Sequence, residues 1–368
     1  MLSSLKLENY RAFKQFEVND LGRINLFVGK NNSGKTSILE AAESIARYDR
    51  IDAITYAARR RAEISSSEKS RLGWVYDICH LFNGHAIEIG SFFEIRGFEN
   101  NTELLIHCEI IPYNEAFKRD TELLKLISDE EELQIQDALS ITNNISDEPI
   151  IIPLTKNGGI HYEWLRRRVV NGGTADKPIN FIRSEAVDNM EMRKLWDEIA
   201  LTDEEEEVIK TLNILEPDIE RIAFIDAPHS HISSAGGIFA KLKTLGIRIP
   251  IGSFGDGIRH LLGISLATIR SAHGYVMIDE IDTGLHHTVM GDMWRMLIET
   301  ARRLDVQVFA TTHNSDCVRS LAGLYEQSPE LCREVRLHRV EMERERTVAY
   351  RPEEIKIAAE QNMELRGW

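Results

Sequence analysis

The sequence has few cysteines and no long apolar run. Only four of its 368 residues are cysteine, and they are scattered without a CxxC pair, which argues against a disulfide framework or a cysteine-paired metal module. A reducing, cytoplasmic compartment is therefore expected. No stretch approaches the roughly 18 to 20 apolar residues that span a bilayer, so no membrane role is expected. Residues 1–7 lack the basic region and apolar core of a signal peptide.

Basic residues are outnumbered by acidic ones. The 44 Lys and Arg residues face 59 Asp and Glu residues, and the formal net charge of −15 disfavours non-specific binding to phosphate-rich nucleic acid. Two arginine clusters, at residues 59–61 and 166–168, could contact DNA or could pair with the acidic runs at residues 129–132 and 203–207. Composition therefore leaves DNA open as a partner.

A glycine-rich segment follows the first buried apolar run. Residues 29–36 match GxxxxGK[ST] in full, between a predicted strand at residues 23–28 and a predicted helix from Lys35. Such a loop turns successive N–H groups toward a phosphate at a helix N-terminus. The pattern predicts bound ATP, with Lys35 on the β- and γ-phosphates and Thr36 on Mg²⁺. The predicted ATP contacts from this segment are Gly29, Asn31, Asn32, Ser33, Gly34, Lys35, Thr36 and Ser37.

A second apolar run, at residues 275–278, ends in two carboxylates. We expect Asp279 to reach the Mg²⁺ shell and Glu280 to polarise the water that attacks the γ-phosphate. An apolar run followed by Asp-Glu is common by itself. Its position downstream of the P-loop makes it informative.

Three more segments accompany these motifs. Asp282 follows the acidic pair directly, and His313 follows another apolar run, 313 − 279 = 34 residues beyond Asp279. Ser253 and Gly255 precede an amphipathic helix, 279 − 253 = 26 residues before Asp279. A serine and glycines at a helix start form a second phosphate site. Because one nucleotide does not need two such sites, this segment is expected to serve the nucleotide of a partner copy.

In this order the motifs resemble the ABC-type heads of the SMC, RecF and OLD group of ATPases. The resemblance implies that Ser253 and Gly255 contact the γ-phosphate held by the other subunit. It also places Asp282 in the D-loop across a dimer interface and makes His313 the switch histidine. Arg11, in the segment 8–13, matches the N-terminal arginine that such heads direct at the nucleotide phosphates.

The resemblance extends to segments 195–199, 215–222, 307–316 and 364–366, which look like the stand-alone, OLD-like AAA ATPases of bacteria. It implies a separately encoded nuclease or toxic effector as partner, in anti-phage defence or DNA repair. Two departures stand out. The signature reads Ser-Phe-Gly-Asp-Gly, unlike the Leu-Ser-Gly-Gly-Gln of transporters, and no glutamine between the P-loop and Gln134 is available for a Q-loop.

The expected fold is α/β: a P-loop NTPase head of ABC/SMC type with a mixed, mostly parallel sheet and an antiparallel β subdomain. Lys35 and Asp279 are 279 − 35 = 244 residues apart, more than a bare nucleotide-binding sheet needs. We therefore expect a split head, residues 1–113 and 217–368, around a mainly helical insertion at residues 114–216 for dimerisation or partner docking. About 50 residues follow His313, too few for the Toprim nuclease domain of OLD proteins.

The leading hypothesis is an ATP hydrolase that closes head-to-tail with another copy around ATP and Mg²⁺ and thereby regulates the effector. A RecF-like clamp that ATP closes on duplex DNA is the first alternative. An ATP-dependent oligomeric scaffold with little turnover is the second.

Overall fold

The computed structural model describes residues 1–66, 74–113, 136–145, 148–169, 177–183, 189–225, 237–244 and 246–360. The chain divides into two compact units. The first consists of Met1–Leu21, Asn32–Asp176 and Val340–Val348, and the second of Gly22–Asn31, Lys177–Arg339 and Ala349–Trp368. Across the described residues, every helix is too short or too polar to cross a bilayer.

The strands and helices alternate along much of the chain. The strands are β1 (Leu2–Tyr10), β2 (Phe13–Val18), β3 (Ile24–Val28), β4 (Ile64–Ser66), β5 (Trp74–Asp77), β6 (Phe92–Glu99), β7 (Thr102–Pro112), β8 (Asp137–Asn143), β9 (Ile150–Pro153), β10 (Gly159–His161), β11 (Ile179–Ile182), β12 (Ile219–Ile225), β13 (Gly237–Leu242), β14 (Arg248–Pro250), β15 (Tyr275–Ile278), β16 (Gln307–Thr311), β17 (Val335–Glu341) and β18 (Arg346–Tyr350). The helices are α1 (Lys35–Ala46), α2 (Thr55–Arg60), α3 (Tyr162–Val169), α4 (Asn189–Asp197), α5 (Asp203–Leu212), α6 (Asp256–Arg270), α7 (His287–Arg303), α8 (Ser315–Gln327) and α9 (Pro352–Glu360).

The second unit contains a parallel sheet. Its strands lie in the order β11-β15-β16-β3-β17, and each neighbouring pair is parallel. Strands β3, β15 and β16 are buried at every position and are mostly apolar, as expected for parallel strands covered on both faces. The predicted alternation of buried strands and helices in this part of the chain is confirmed.

Helices α6, α7 and α8 supply much of the apolar core that contains this sheet. Trp294 of α7 is fully buried, and its indole Nε1 donates a hydrogen bond to the carbonyl of Cys317 on α8 (3.1 Å). A buried indole needs such a partner because an unsatisfied donor in the core is costly. A separate antiparallel sheet, β12-β13-β14, lies in the same unit.

The first unit is built on an antiparallel meander. Strands β2-β1-β6-β7-β8-β9 pair in this order, and all five pairs are antiparallel. In β7, the residues Leu104, Ile106, Cys108 and Ile110 are buried at every second position, so one face packs inward. Helix α1 approaches β6 closely at Gly97, where an added Cβ would lie 3.0 Å from Ile45. A small sheet, β10-β5-β4, completes the unit.

The range 114–216 differs from the mainly helical insertion that the sequence predicts. Its described residues include α3, α4 and α5, but also strands β8 and β9 of the meander and β11 of the parallel sheet. The apolar spacing around Leu139 predicts a helix, but in the structure Ala138, Leu139 and Ile141 are buried within strand β8. Residues 114–135 of the predicted lobe lie outside the described residues.

Asn25 is the polar residue that fixes the centre of the parallel sheet. It is fully buried in β3; its Oδ1 accepts from the N–H of Gly22 (2.8 Å), and its Nδ2 donates to the carbonyls of Gly22 (2.8 Å) and Val308 (3.2 Å). His338 Nε2 lies 3.3 Å from Oδ1. The amide thus joins β3 to β16 and β17.

We expect Asn25→Ala to lower the free energy of unfolding by about 3 kcal/mol, because it leaves several buried polar groups without partners. Urea denaturation at constant m-value measures this change. Asn19→Ala, at an exposed position, is the control and should shift stability by no more than about 0.5 kcal/mol. Equal midpoints for the two variants would contradict the role given to Asn25.

Candidate functional site

Three neighbouring parallel strands end at one edge of the sheet in the second unit. The register pairs Ile278 of β15 with Ala310 of β16, and Thr311 of β16 with Phe27 of β3. The segments that follow these strands therefore begin side by side: Gly29, then Asp279 and Glu280, then Thr312 and His313. In parallel α/β sheets, ligands bind outside this carboxyl edge.

Thr311 links the two carboxylate residues. Its hydroxyl donates to Asp279 Oδ1 (2.6 Å) and accepts from the backbone N–H of Glu280 (2.8 Å). Glu280 has a left-handed backbone (φ 52°), which is unfavourable for a residue with a side chain. Its carbonyl accepts from the N–H (3.0 Å) and hydroxyl (2.9 Å) of Thr283. Four hydrogen bonds thus fix the turn that presents the acidic pair.

Asp282 and His313 lie on adjacent segments of the same edge. The hydroxyl of Thr312 donates to Asp282 Oδ1 (2.5 Å) and accepts from the N–H of Asn314 (2.9 Å). His313, which lies between Thr312 and Asn314 in the sequence, is half-buried. The structure therefore holds Asp282 by a contact within its own chain.

The loop before α1 has the features of an anion site. Gly34 has φ 83°, and an added Cβ would lie 2.4 Å from Cζ of Phe13, so glycine is required there. Helix α1 begins at Lys35 without a side-chain cap or an acidic residue in its first turn. The buried Ser33 hydroxyl finds no hydrogen-bond partner among the described residues. These groups suit a phosphate.

The other predicted contacts of this loop differ in exposure. Asn31 and Asn32 are exposed, Thr36 is half-buried, and Lys35 is buried. The buried Ser37 hydroxyl accepts a hydrogen bond from Nη2 of Arg61 (3.2 Å), so it serves a contact within the first unit.

Arg11 is engaged by carboxylates. It is 4% exposed; its Nε lies 2.9 Å from Glu40 on α1, and its two terminal nitrogens donate to Glu63 at 2.7 and 3.1 Å. Burial lowers the pKa of Arg11, but Tyr10, Glu40 and Glu63 outweigh this effect and raise it, so Arg11 stays charged. In this structure the guanidinium faces Glu40 and Glu63, and its contact with a nucleotide phosphate stays a prediction.

The Ser253 segment is open to solvent. Ser253, Gly255 and Asp256 are exposed, and α6 begins after Gly255 (φ 93°) without a side-chain cap. Gly257, the second residue of α6, contacts Gly284 so closely that an added Cβ would lie 2.3 Å from the Gly284 carbonyl oxygen. The start of α6 and the segment after Asp282 are therefore packed together, although each is part of a different predicted motif.

His260 is a residue that the sequence motifs do not indicate. It lies on the buried face of α6, and burial lowers the pKa of its imidazole, against the opposing effects of the Ile281 backbone, Asp282 and the Glu280 backbone. A neutral imidazole thus connects α6 to the turn of Glu280. Thr311 is likewise unremarkable in sequence, since only its side-chain contacts reveal what it holds.

The chain is similar to several known proteins. The chain is 23% identical over 343 residues to an ATP/GTP phosphatase of Helicobacter pylori, covering 87% of each protein. A segment of 80 residues is 30% identical to the DNA replication and repair protein RecF of Macrococcus caseolyticus, covering 22% of this chain and 18% of that protein. An SMC head crystallised with the C-winged helix domain of ScpA has a similar fold, with a TM-score of 0.51, 14% identity, and coverage of 96% of this chain and 98% of that chain.

The fold is that of an SMC head-like P-loop NTPase. The chain belongs to the AAA ATPase domain family, which matches residues 1–318, and it is an ATPase.

Replacing Arg11 should separate its structural role from the predicted role in binding phosphate. We expect Arg11→Met to lower the free energy of unfolding without nucleotide by about 3 kcal/mol, because Glu40 and Glu63 lose their buried partner. Adding Glu40→Met should recover part of that loss. Arg96→Ala, which removes a more exposed ion pair, should cost less than about 1 kcal/mol. Unchanged stability of Arg11→Met with a raised KM for ATP would instead assign the guanidinium to the nucleotide.

Proposed function

We propose that the residues at the carboxyl edge and in the P-loop bind and hydrolyse ATP. The observation that carries this proposal is the shared edge of β3, β15 and β16, from which the P-loop, the Asp279–Glu280 pair and His313 all follow. Gly29, Asn31, Asn32, Ser33 and Gly34 enclose the phosphates, and Lys35 neutralises their charge.

Thr36 and Asp279 are the proposed Mg²⁺ ligands. A hydroxyl and a carboxylate are hard oxygen donors, which Mg²⁺ prefers, so the residues fit the ion. When bound, Mg²⁺ neutralises charge on the β- and γ-phosphates. Thr311 orients the Asp279 carboxylate through the 2.6 Å hydrogen bond, so Asp279 needs little rearrangement to act as a ligand.

Glu280 is the proposed general base. It orients and polarises the attacking water, and the hydrogen bonds from Thr311 and Thr283 hold its backbone in the left-handed conformation. His313 stabilises the charge that develops on the γ-phosphate. Arg11 supports this machinery through α1, whose residue Glu40 it contacts, and its own contact with phosphate requires release from Glu40 and Glu63.

A second copy of the chain completes the site in this proposal. Ser253 and Gly255 are exposed, and an added Cβ at Gly255 would meet no atom of the described residues within 4 Å, so another molecule has access to them. They contact the γ-phosphate held by the partner, and the Asp282 segment, packed against the start of α6, belongs to the same interface. ATP binding then closes the two heads, and hydrolysis reopens them.

The cycle acts on a partner protein in the cytoplasm. We propose a separately encoded nuclease or toxic effector, in an OLD-like system of anti-phage defence or DNA repair, with residues 114–216 contributing to dimerisation or docking. The SMC head of similar fold was solved with a bound ScpA domain, which supports a protein partner for this type of head. Co-purification with the product of the neighbouring reading frame, with and without ATP, tests this part.

A clamp on duplex DNA is the second candidate, favoured by the segment that matches RecF. It requires ATP-dependent DNA binding whose affinity falls steeply with salt concentration. Titration of labelled duplex at several salt concentrations, with and without ATP, distinguishes it from the effector proposal. Assembly with ATP but very slow turnover would indicate a scaffold instead.

Thr311→Val tests the turn that positions Glu280 and Asp279. The substitution keeps the shape of the side chain but removes both hydrogen bonds, so we expect kcat to fall about tenfold or more, a change that corresponds to about 1.4 kcal/mol. ATP binding by isothermal titration should weaken less than kcat falls. Thr311→Ser keeps the hydroxyl and should restore most of the rate. Loss of rate in Thr311→Ser equal to that of Thr311→Val would remove the hydroxyl from the mechanism.

Mixing inactive variants tests the shared site. Lys35→Ala should abolish ATP binding, and Ser253→Arg should block the partner's nucleotide by bulk and misplaced donors. In a mixed dimer, one site combines the intact P-loop of one chain with the intact Ser253 of the other. We therefore expect ATPase activity to reappear when the two variants are mixed.

The matched control is a mixture of Lys35→Ala with Glu280→Gln. Glu280 serves the nucleotide of its own P-loop, so both sites of this dimer are defective and activity should stay absent. Glu280→Gln alone should bind ATP but hydrolyse it orders of magnitude more slowly. If the Lys35→Ala and Ser253→Arg mixture stays inactive although cross-linking shows mixed dimers, the head-to-tail arrangement is wrong.

A further inference from the structure

A turn in the first unit brings three metal-binding side chains together. Strand β5 ends at Asp77, and a short 3-10 helix at Cys79–Leu81 follows it. One ligand atom from each of Asp77, Cys79 and His80 lies within 4.8 Å of the other two, and all three residues are half-buried. Four consecutive positions therefore supply a carboxylate, a thiol and an imidazole.

The backbone of the turn directs these groups to one side. The N–H of Cys79 donates to Asp77 Oδ1 (3.2 Å), while the other carboxylate oxygen lies 3.7 Å from Nε2 of His80. The N–H groups of Leu81 and Phe82 donate to Ile78 and Cys79 (3.0 and 3.2 Å) and close the turn. In a tetrahedral zinc site, oxygen and nitrogen ligands bound at 2.0–2.2 Å are separated by about 3.3–3.6 Å, so the 3.7 Å between Asp77 and His80 needs only a small contraction to share one ion.

The second nitrogen of His80 already has a partner. His80 Nδ1 lies 3.2 Å from Nδ1 of His85, and the two rings meet edge to face at 5.3 Å. A histidine that binds a metal through one nitrogen commonly uses the other for an orienting hydrogen bond. His85 can fulfil this role for His80.

We propose that Asp77, Cys79 and His80 bind a divalent transition-metal ion of the Zn²⁺ class. Thiolate and imidazole ligands select zinc and its neighbours, whereas Mg²⁺ and Ca²⁺ take oxygen ligands, so the site is chemically distinct from the one that Thr36 and Asp279 serve. Water occupies the fourth position. The ion binds through the Cys79 thiolate, whose proton passes to solvent.

The same turn is hydrogen-bonded to Arg11, so an ion bound to the turn also affects how firmly Arg11 is held. The N–H of Arg11 donates to the Leu81 carbonyl (2.8 Å), and its Nη1 lies 3.3 Å from the His80 carbonyl. Asn83 Nδ2 donates to the Arg11 carbonyl (2.8 Å). An ion on the turn therefore stabilises the segment that fixes Arg11 against Glu40.

Titration of the full-length, chelator-treated protein with Co²⁺, without nucleotide, tests the site. We expect one equivalent per chain, a near-ultraviolet charge-transfer band from the thiolate, and displacement of Co²⁺ by Zn²⁺. Cys79→Ser should remove the band, and His80→Gln should weaken binding by at least about tenfold. The melting temperature of the wild type should rise on adding Zn²⁺.

The controls are Cys332→Ser and His273→Gln, which alter a thiol and an imidazole outside this turn and should keep the band. Asp77→Asn provides a second test of the site should Cys79→Ser fold poorly, and it should weaken Co²⁺ binding. The proposal is overturned if the protein binds no Co²⁺, if bound Co²⁺ gives no thiolate band, or if the band survives in Cys79→Ser.

Discussion

The parallel register of β3, β15 and β16 is the constraint on which the candidate site depends. A shift by one residue would reverse the facing of every side chain on a strand, so the register must be fixed within a core that is mostly apolar. The Asn25 amide does this by joining β3 to the Val308 carbonyl of β16. Thr311, three residues beyond Val308, then meets Asp279 at the edge. The polar contact inside the sheet and the one at its edge therefore depend on the same alignment.

The first unit uses a different means to position its part of the P-loop. The ring of Phe13 leaves room only for glycine at position 34. Arg11, which precedes Phe13 by two residues, contacts Glu40 on α1. A buried ion pair adds little net stability, because desolvation offsets the Coulombic attraction. In an incorrectly packed chain, however, one of the charges is left buried without its partner. We interpret the ion pairs of Arg11 with Glu40 and Glu63 as contacts that specify the orientation of α1 relative to the β1–β2 hairpin.

The sequence predicts those parts of the molecule whose information is local. The P-loop, β15 and α6 are each defined by a motif or an apolar run, and their predicted bounds agree closely with the structure. The sequence did not predict strand β8, because Leu139 fits a helical spacing and because residues 114–135 separate β8 from its partner β7 in the sequence. The carboxylate partners of Arg11 could not be foreseen either, since Glu63 is 52 residues away and only the fold brings it near. The same holds for Thr311 and His260.

The contact of Gly257 with Gly284 has a consequence for any closure of two heads. With an added Cβ only 2.3 Å from a carbonyl oxygen, the start of α6 and the segment after Asp282 have no space to move independently. The hydroxyl of Thr283, next to Gly284, donates to the carbonyl of Glu280, so this packed segment is also hydrogen-bonded to the turn that contains Glu280. Since the Asp282 carboxylate is already bound by Thr312, the exposed backbone at Gly284 is better placed than that carboxylate to meet a partner. In the proposed dimer, the surface at the start of α6 and the turn of the proposed general base therefore belong to one packed region of the chain.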